Sequence, residues 1–312
     1  MKNSSILQKP LDTKFNYLSH LNDITNGINL KEKTVIITGG CKGRGLEVAK
    51  TLAQLEANVI VTTPNLEQAK MNLIDFPNIQ IEEVDLTNLK NIEAFSDDFL
   101  QTDSSLDLLI NNEEISLYNY YKDDYGDELH LSHNYLGHFH LTLRLWTVLK
   151  ESVGARIINL SSYQHKFSMF NFSDPNYHYK DFNDVEAYAQ SKTAMNLFTI
   201  ALDELGKKHN IRSFAVNPYI LVDRNNIELS PKKVIVEEFL TIIWCATNSM
   251  LDNIGGLYCE NVNIAPLDLD DTLNNYNTFS TGVKRYSLDQ VTAQKLWQLS
   301  EELTGISLEI DF

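Results

Sequence analysis

The sequence predicts a doubly wound α/β fold, in which helices cover both faces of a parallel β-sheet. Short segments that are β-branched and apolar on both faces recur along the chain, as buried parallel strands require. Amphipathic stretches of helical length separate them, and this alternation indicates right-handed crossover connections. The predicted strands span residues 34–38, 58–63, 79–84, 106–110, 156–160 and 211–216.

Helical periodicity is clearest in two central segments and in the C-terminal tail. Apolar residues recur at helical spacing over 136–146 and over 194–205. Residues 287–305 predict a terminal helix, which Gly305 would end. The longer helical segments therefore fall between and after the predicted strands, as the fold requires.

Length and composition are those of one globular domain with extensions. The chain has 312 residues, of which 43% are hydrophobic and 22% charged, so it can bury a substantial core. It contains neither an internal repeat nor a linker rich in glycine, serine or proline. We expect a domain over 31–265, an N-terminal extension over 1–30 and a C-terminal extension with a terminal helix over 266–312.

Charge and hydropathy restrict the partners and the compartment. A net charge of −16 argues against nucleic acid and anionic membranes, because both require basic patches. Apolar runs stay well below the roughly 20 residues that span a bilayer, and the N-terminus lacks a signal-peptide pattern. Three distant cysteines suit a reducing compartment and form no metal-ligand spacing. These observations predict a soluble, cytoplasmic protein without a metal.

The segment TVIITGGCKGRGLEVAKTL joins the first predicted strand to the first helix. Gly39, Gly43 and Gly45 allow a tight turn and the close approach of a pyrophosphate to the helix N-terminus. An ordinary strand–helix turn can carry the same residues. Because this turn follows a strand, opens a helix and comes first in an alternating series, it favours a dinucleotide-binding Rossmann fold.

Five motifs, in chain order, resemble the short-chain dehydrogenase/reductase family. They are the Thr-Gly-x-x-x-Gly-x-Gly turn, VDL (84–86), HNYLGHFHLT (133–142), RIINLSSYQH (156–165) and AYAQSKTAMNLF (187–198). The resemblance covers roughly residues 28–262 and is nearest to the retinol-dehydrogenase-like and WW-domain-oxidoreductase-like branch and to uncharacterised bacterial members. It implies hydride transfer between a nicotinamide cofactor and a small-molecule carbonyl or alcohol, in a homodimer or homotetramer.

The resemblance assigns roles to four residues. Tyr188 would be the general acid or base, Ser162 would orient the substrate, Lys192 would hold the nicotinamide ribose, and Asn134 would anchor a water for proton relay. Tyr188 and Lys192 are four residues apart, so one helical face carries both. A tyrosine normally titrates near about pH 10, and a neighbouring ammonium favours its phenolate.

The cofactor contacts follow from the same motifs. We expect them from Gly39, Cys41, Lys42, Gly43, Arg44, Gly45, Asp85, Leu86, Asn111 and Pro218. The second strand ends in VIVTTPN, without the acidic residue that binds the ribose in NAD enzymes. Lys42 and Arg44 would pair with a 2′-phosphate, although both are alternatively solvated loop cations. The sequence thus favours NADP(H), with NAD(H) as the alternative.

Three departures from the family pattern line the expected cleft. Glu113 and Glu114 stand where the family has alanine and glycine, Arg44 replaces a small apolar residue, and Tyr219 replaces a glycine. Two carboxylates near a pyrophosphate are unfavourable unless they turn into solvent. The departures leave two hypotheses open: an enzyme with a remodelled cleft, or a non-catalytic dinucleotide sensor or interaction module. Retention of the four candidate catalytic residues favours the enzyme.

Histidines and aromatic residues near the motifs have alternative interpretations. His138 and His140 are two residues apart on a helix and share no face, which argues against a metal site. His165 would either border the substrate or be a satisfied loop histidine. The aromatic segment 166–188 would either flank an apolar substrate pocket or pack a small core of its own.

Overall fold

The computed structural model describes residues 8–218, 238–270, 272–273 and 280–308. Within them the main sheet consists of β1 Thr34–Thr38, β2 Asn58–Thr63, β3 Gln80–Glu83, β4 Leu108–Asn111, β5 Arg156–Leu160, β6 Arg212–Val216, β7 Leu257–Glu260 and β8 Asn263–Ile264. Their spatial order is β3-β2-β1-β4-β5-β6-β7-β8. Strands β1 to β7 are parallel, and β8 runs antiparallel to β7.

The predicted fold class is confirmed, and each predicted strand lies within two residues of its observed bounds. The central strand β1 is buried along its whole length, as its β-branched sequence TVIIT predicts. The sequence did not predict β7 and β8, nor the small parallel pair β9 (Leu267–Asp268) and β10 (Val283–Lys284). The last three have two residues each, too few to show a period.

Helices connect the strands and follow them. They are α1 Leu21–Thr25, α2 Gly43–Gln54, α3 Leu66–Asn72, α4 Leu89–Leu100, α5 Leu129–Leu131, α6 Gly137–Arg144, α7 Trp146–Glu151, α8 Asp184–Gly206, α9 Leu240–Thr247 and α10 Gln290–Thr304. A π-helical turn, Ser132–Leu136, joins α5 to α6. Helix α10 is the predicted terminal helix, and Gly305 ends it in the left-handed conformation with φ = 69°.

The sheet has a helical layer on each face. Apolar side chains of α4, α6, α8 and α10 pack on one face, and those of α1, α2 and α9 pack on the other. Among the described residues, no helix combines the length and the apolar character needed to cross a membrane. The layers leave the carboxyl ends of the parallel strands at one edge, where open α/β sheets bind ligands.

Both terminal extensions contact the sheet domain. The Gln8 side chain donates to the carbonyl oxygens of Tyr258 (2.8 Å) and Ala265 (2.7 Å) and accepts from the Tyr258 N–H. At the other end, Trp297 of α10 packs on Phe139 of α6, with ring centroids 5.0 Å apart. The domain limits 31–265 remain a prediction, but the described extensions are packed against that domain.

Candidate active site

The site begins at the switch point of the sheet. Strands β1 and β4 are neighbours there, and β1 continues into the glycine turn. The Thr38 hydroxyl oxygen accepts from the N–H groups of Asn112 (2.8 Å) and Glu113 (3.0 Å), which follow β4. The glycine turn and the segment carrying the two unusual glutamates are thus joined at the carboxyl edge of the sheet.

The glycine turn has the close approaches expected of a phosphate cradle. Gly39 and Gly43 have φ values of 64° and 50°. A β-carbon on Gly45 would lie 2.4 Å from the Gly39 carbonyl oxygen, so that position is restricted to glycine. No atom lies within 4 Å of a β-carbon placed on Gly43, where α2 begins. Space and free N–H groups at the start of α2 fit a pyrophosphate.

The other residues of the turn point in different directions. Cys41 is buried, and burial together with the nearby Glu113 carboxyl raises the pKa of its thiol to about 11. Lys42 is exposed just before α2, where a phosphate group can reach it. Arg44 pairs with Glu114 (2.8 Å) and lies 3.6 Å from Glu238, so its guanidinium already has carboxylate partners.

Tyr188 and Lys192 lie one turn apart on α8, close to its start. The Asn183 side chain caps this helix by accepting from the Glu186 N–H. The Lys192 ammonium lies 5.2 Å from the centroid of the Tyr188 ring, on the same helical face. Both residues are buried, and the Lys192 ammonium also donates to the Leu160 carbonyl oxygen (3.2 Å).

Glu114 is the common partner of these groups. Its Oε2 accepts from the Tyr188 hydroxyl at 2.8 Å and lies 2.5 Å from the Lys192 ammonium. Its Oε1 accepts from Arg44. Burial alone would raise the pKa of the Glu114 carboxyl, but Lys192 and Arg44 outweigh burial and lower it. Glu114 is therefore ionised at neutral pH and does not turn into solvent, as sequence reasoning had allowed.

Glu113 lies on the other side of the cleft floor. It is 9% exposed, and a β-carbon on Gly39 would lie 3.0 Å from its own. Within the described residues its Oε2 has no hydrogen-bond partner. Burial raises the pKa of Glu113 to about 7, with Lys42 lowering it and Asp85 raising it further. This carboxyl group is a buried acid poised near neutrality.

Asn134 lies in the π-helical turn, a distortion that often marks functional sites. Its side chain accepts from the Ile115 N–H (2.8 Å) and donates to the Ile115 carbonyl oxygen (3.0 Å) and to Ser191 Oγ (3.1 Å). Asn134 thereby fixes the backbone directly after Glu114 and ties it to α8.

Ser162 follows β5 and begins a short 3-10 turn, Tyr163–Phe167. The side chain of Ser162 is fully buried and accepts from the Gln164 N–H at 3.2 Å. The turn packs against α8, the helix that carries Tyr188. The fold therefore brings the four candidate catalytic residues to one edge of the sheet from three separate elements.

The remaining predicted cofactor residues differ in exposure. Asp85 is exposed, and Leu86 is buried against Gly137, where a β-carbon would lie 2.2 Å from the Leu86 carbonyl oxygen. Asn111 is fully buried and donates to Asn159 Oδ1 (2.8 Å) and Thr142 Oγ1 (3.1 Å), which ties β4 to β5. Pro218 is buried after β6. Tyr219 and the loop that would shape the substrate pocket lie outside the described residues.

His138 has a positioning contact that sequence reasoning missed. It is fully buried, and burial lowers its pKa to about 3, so the ring is neutral. Its Nδ1 lies 3.0 Å from the Asn134 carbonyl oxygen and therefore carries the proton, while Nε2 accepts from the Thr38 hydroxyl at 2.8 Å. The four-residue spacing from Asn134 was the available signal. Among the described residues, no cluster of histidine, cysteine or acidic side chains could hold a metal.

Two other sequence alternatives are resolved by packing. Both ring nitrogens of His165 lie at hydrogen-bond distance from backbone atoms of Ser162 and Lys284, and the residue is fully buried, as expected of a satisfied loop histidine. In the aromatic segment, Phe182 packs on Tyr177 and on Tyr120, with ring centroids 5.4 Å apart in each case. These rings form a small core of their own.

A parallel sheet with a glycine turn at its switch point, and a Tyr–Lys pair beside it, defines a Rossmann-type dinucleotide-binding protein. Residues 33–233 match the family model described as short chain dehydrogenase. Retinol dehydrogenase 12 of Bos taurus is 33% identical over 299 residues, which cover 90% of this chain and 89% of that protein. The chloroplastic short-chain dehydrogenase TIC 32 A of Brassica napus is 30% identical and covers 90% and 91%.

The chain belongs to the short-chain dehydrogenase/reductase family, in its retinol-dehydrogenase-like branch. Members of this family are oxidoreductases that use NAD(H) or NADP(H), so membership supports oxidoreductase activity. An uncharacterized protein of Mycobacterium paratuberculosis shares the fold, with a TM-score of 0.72, 24% identity and coverage of 92% of this chain and 98% of that one. RhlG of Pseudomonas aeruginosa, solved as an NADP active-site complex, shares it with a TM-score of 0.57, 19% identity and coverage of 74% and 95%.

Proposed function

We propose that this protein is an NADP(H)-preferring oxidoreductase that interconverts a carbonyl and an alcohol, with Tyr188 as general acid and base. The observation that carries the proposal is the convergence of two donors. The Tyr188 hydroxyl and the Lys192 ammonium meet at one oxygen of Glu114, at 2.8 and 2.5 Å. The side chains are therefore already placed to hold an oxygen acceptor together, which is the role that ribose and substrate oxygens would fill.

The cofactor site has two halves that fit differently. The glycine turn and the start of α2 offer space and N–H groups to a pyrophosphate, with Asp85 and Leu86 bordering the adenine. In the nicotinamide half, Lys192 and Tyr188 offer the donors that ribose hydroxyls need, once Glu114 has left them. When bound, the nicotinamide supplies or accepts the hydride.

The chain's own residues orient the substrate and move the proton. Ser162 would align the substrate oxygen, and Tyr188 would donate a proton to it during reduction or remove one during oxidation. The Lys192 ammonium, held beside the Tyr188 ring, favours the phenolate that follows donation. Asn134 and His138 keep the adjoining backbone in place.

The preference for NADP(H) follows from charge at the adenosine end. Strand β2 ends at Thr63, and the next residues, Pro64 and Asn65, bring no carboxylate that would repel a 2′-phosphate. Lys42 is exposed beside the glycine turn and is the cation we assign to this phosphate. Arg44, the other candidate, is engaged by Glu114 and contributes less to the preference.

A non-catalytic dinucleotide sensor is the second candidate function. Glu113 and Glu114 both lie in the cleft, where they compete with a dinucleotide for space and charge. Similarity to retinol dehydrogenases over nine-tenths of the chain does not favour this candidate.

Replacing Tyr188 tests the proposed role directly. Tyr188→Phe removes only the hydroxyl, so carbonyl reduction should fall to background while the affinity for NADPH stays close to wild type. Initial rates would be measured with NADPH and a panel of apolar aldehydes, headed by retinal because of the relatives' activity, alongside nucleotide titrations. Tyr179→Phe, at a side chain that is 91% exposed, is the matched control. Measurable turnover by Tyr188→Phe would refute the assignment.

The remaining expectations concern the substrate, assembly and location. The aromatic segment and the branch relationship support a substrate with apolar character. We retain a homo-oligomer and a cytoplasmic location as predictions, and note that α10 covers part of α6 and α8, the region expected to pair. Cys41, Cys245 and Cys259 are free and buried, which is compatible with a reducing compartment.

A further inference from the structure

Glu114 fills, with its own carboxylate, the donors that the proposed function assigns to the cofactor. We propose that Glu114 is an internal competitor of the dinucleotide, which occupies Lys192 and Tyr188 in the free protein and must leave them before the nicotinamide half can bind. The inference rests on the proposed function and adds a residue that determines cofactor affinity. Its observations are the contacts at 2.5 and 2.8 Å on one carboxylate oxygen.

Burial of the Lys192 side chain explains why the free protein gains from this contact. The side chain is only 1% exposed, and a buried ammonium without a counter-charge is strongly unfavourable. Glycine, the family's residue at position 114, would leave Lys192 with the Leu160 carbonyl oxygen as its printed partner. The Glu114 carboxylate neutralises this charge and holds Tyr188 and Lys192 in one arrangement.

Arg44 gives the carboxylate a second place to stay. Arg44 bonds Oε1 at 2.8 Å, whereas Tyr188 and Lys192 contact Oε2. Glu114 can therefore release Oε2 while its charge remains paired with the guanidinium. Arg44 and Glu114 are both departures from the family pattern, in separate motifs, and they contact each other. This pairing indicates a built device.

The backbone around Glu114 is held on both sides. Asn134 bonds both the N–H and the carbonyl oxygen of Ile115, and Thr38 accepts from the N–H of Glu113. Displacement is therefore confined to the Glu114 side chain. Such a movement needs only rotation about side-chain bonds, so it requires no rearrangement of the sheet or of α8.

Equilibrium binding of NADPH to Glu114 variants tests the inference. A site whose binding-competent state is populated at about one-tenth or less shows an affinity reduced by the same factor. Glu114→Ala should therefore lower the dissociation constant of NADPH at least about tenfold, and Glu114→Gln, which keeps the shape but not the charge, should lower it by less. Nicotinamide fluorescence would follow binding, and melting temperatures without ligand should fall because Lys192 loses its counter-charge.

A matched control and three outcomes separate the competitor from the proposed function. Glu204→Ala removes another glutamate paired with a lysine at 2.5 Å, at the far end of α8, and should leave the affinity unchanged. Wild-type affinity, or weaker binding, in both Glu114 variants would overturn the competitor and leave the proposed function standing. Absence of NADPH binding in wild type and variants alike would overturn both. Tighter binding in the Ala and Gln variants alone supports the competitor.

Discussion

At the residue scale, the two neighbouring glutamates have opposite environments. Glu114 has three partners that carry or donate positive charge density, and its pKa is lowered by Lys192 and Arg44 against the effect of burial. Glu113 is buried without such partners, and burial raises its pKa to about 7. One carboxyl group is thus a fixed anion at neutral pH, and the next is a switchable acid.

The raised pKa of Glu113 predicts a pH-dependent contribution to stability. Between about pH 4.5 and 7 the folded protein retains a proton that the unfolded chain has lost, so this stabilisation is full below that range and is lost as the pH rises through about 7. Replacement by glutamine removes the dependence. The unfolding free energy of Glu113→Gln relative to wild type should therefore increase by about 2 to 3 kcal/mol from pH 5 to pH 8.

Urea unfolding at the two pH values measures this difference. Glu47→Gln, a change at a side chain of α2 that is 50% exposed, is the matched control and should shift stability equally at both pH values. Parallel behaviour of Glu113→Gln and the control would show that the Glu113 carboxyl is solvated in the folded protein.

At the element scale, strands were predictable and the turns that carry chemistry were not. The strand sequences TVIIT and RIINL are apolar on both faces, so burial alone determines their conformation. The π-helical turn at Asn134 depends on side-chain bonds to Ile115 and Ser191, which are 19 and 57 residues away along the chain. No local pattern contains those partners, and the motif predicted the position of Asn134 without its geometry.

Helix α10 provides the test at this scale. Trp297 is 1% exposed and packs edge-on against Phe139, so Trp297→Ala should lower the free energy of unfolding by about 3 to 5 kcal/mol. Val291→Ala lies on the same helix at a position that is 74% exposed and should change stability by less than about 0.5 kcal/mol. Chemical denaturation of both variants gives the comparison. Similar small effects would mean that α10 unfolds separately from the sheet domain.

At the scale of the whole molecule, the topology explains why the site is where it is. The motifs are spread over about half of the chain, and the parallel sheet gathers them because its strands all end at the same edge. The family resemblance predicted which residues meet there. It could not predict that Glu114 contacts Tyr188 and Lys192, 74 and 78 residues away along the chain, because the family has no side chain at that position.

Dinucleotide binding by the unmodified protein is the most direct test of the account. The protein would be titrated separately with NADPH and NADH, following nicotinamide fluorescence and thermal stability. A ligand specific for the folded state adds about 2.7 kcal/mol of stability at 100 times its dissociation constant. We predict saturable binding of both, tighter for NADPH. No binding of either at millimolar concentration would contradict the proposed oxidoreductase and mean that Glu113 and Glu114 close the cleft.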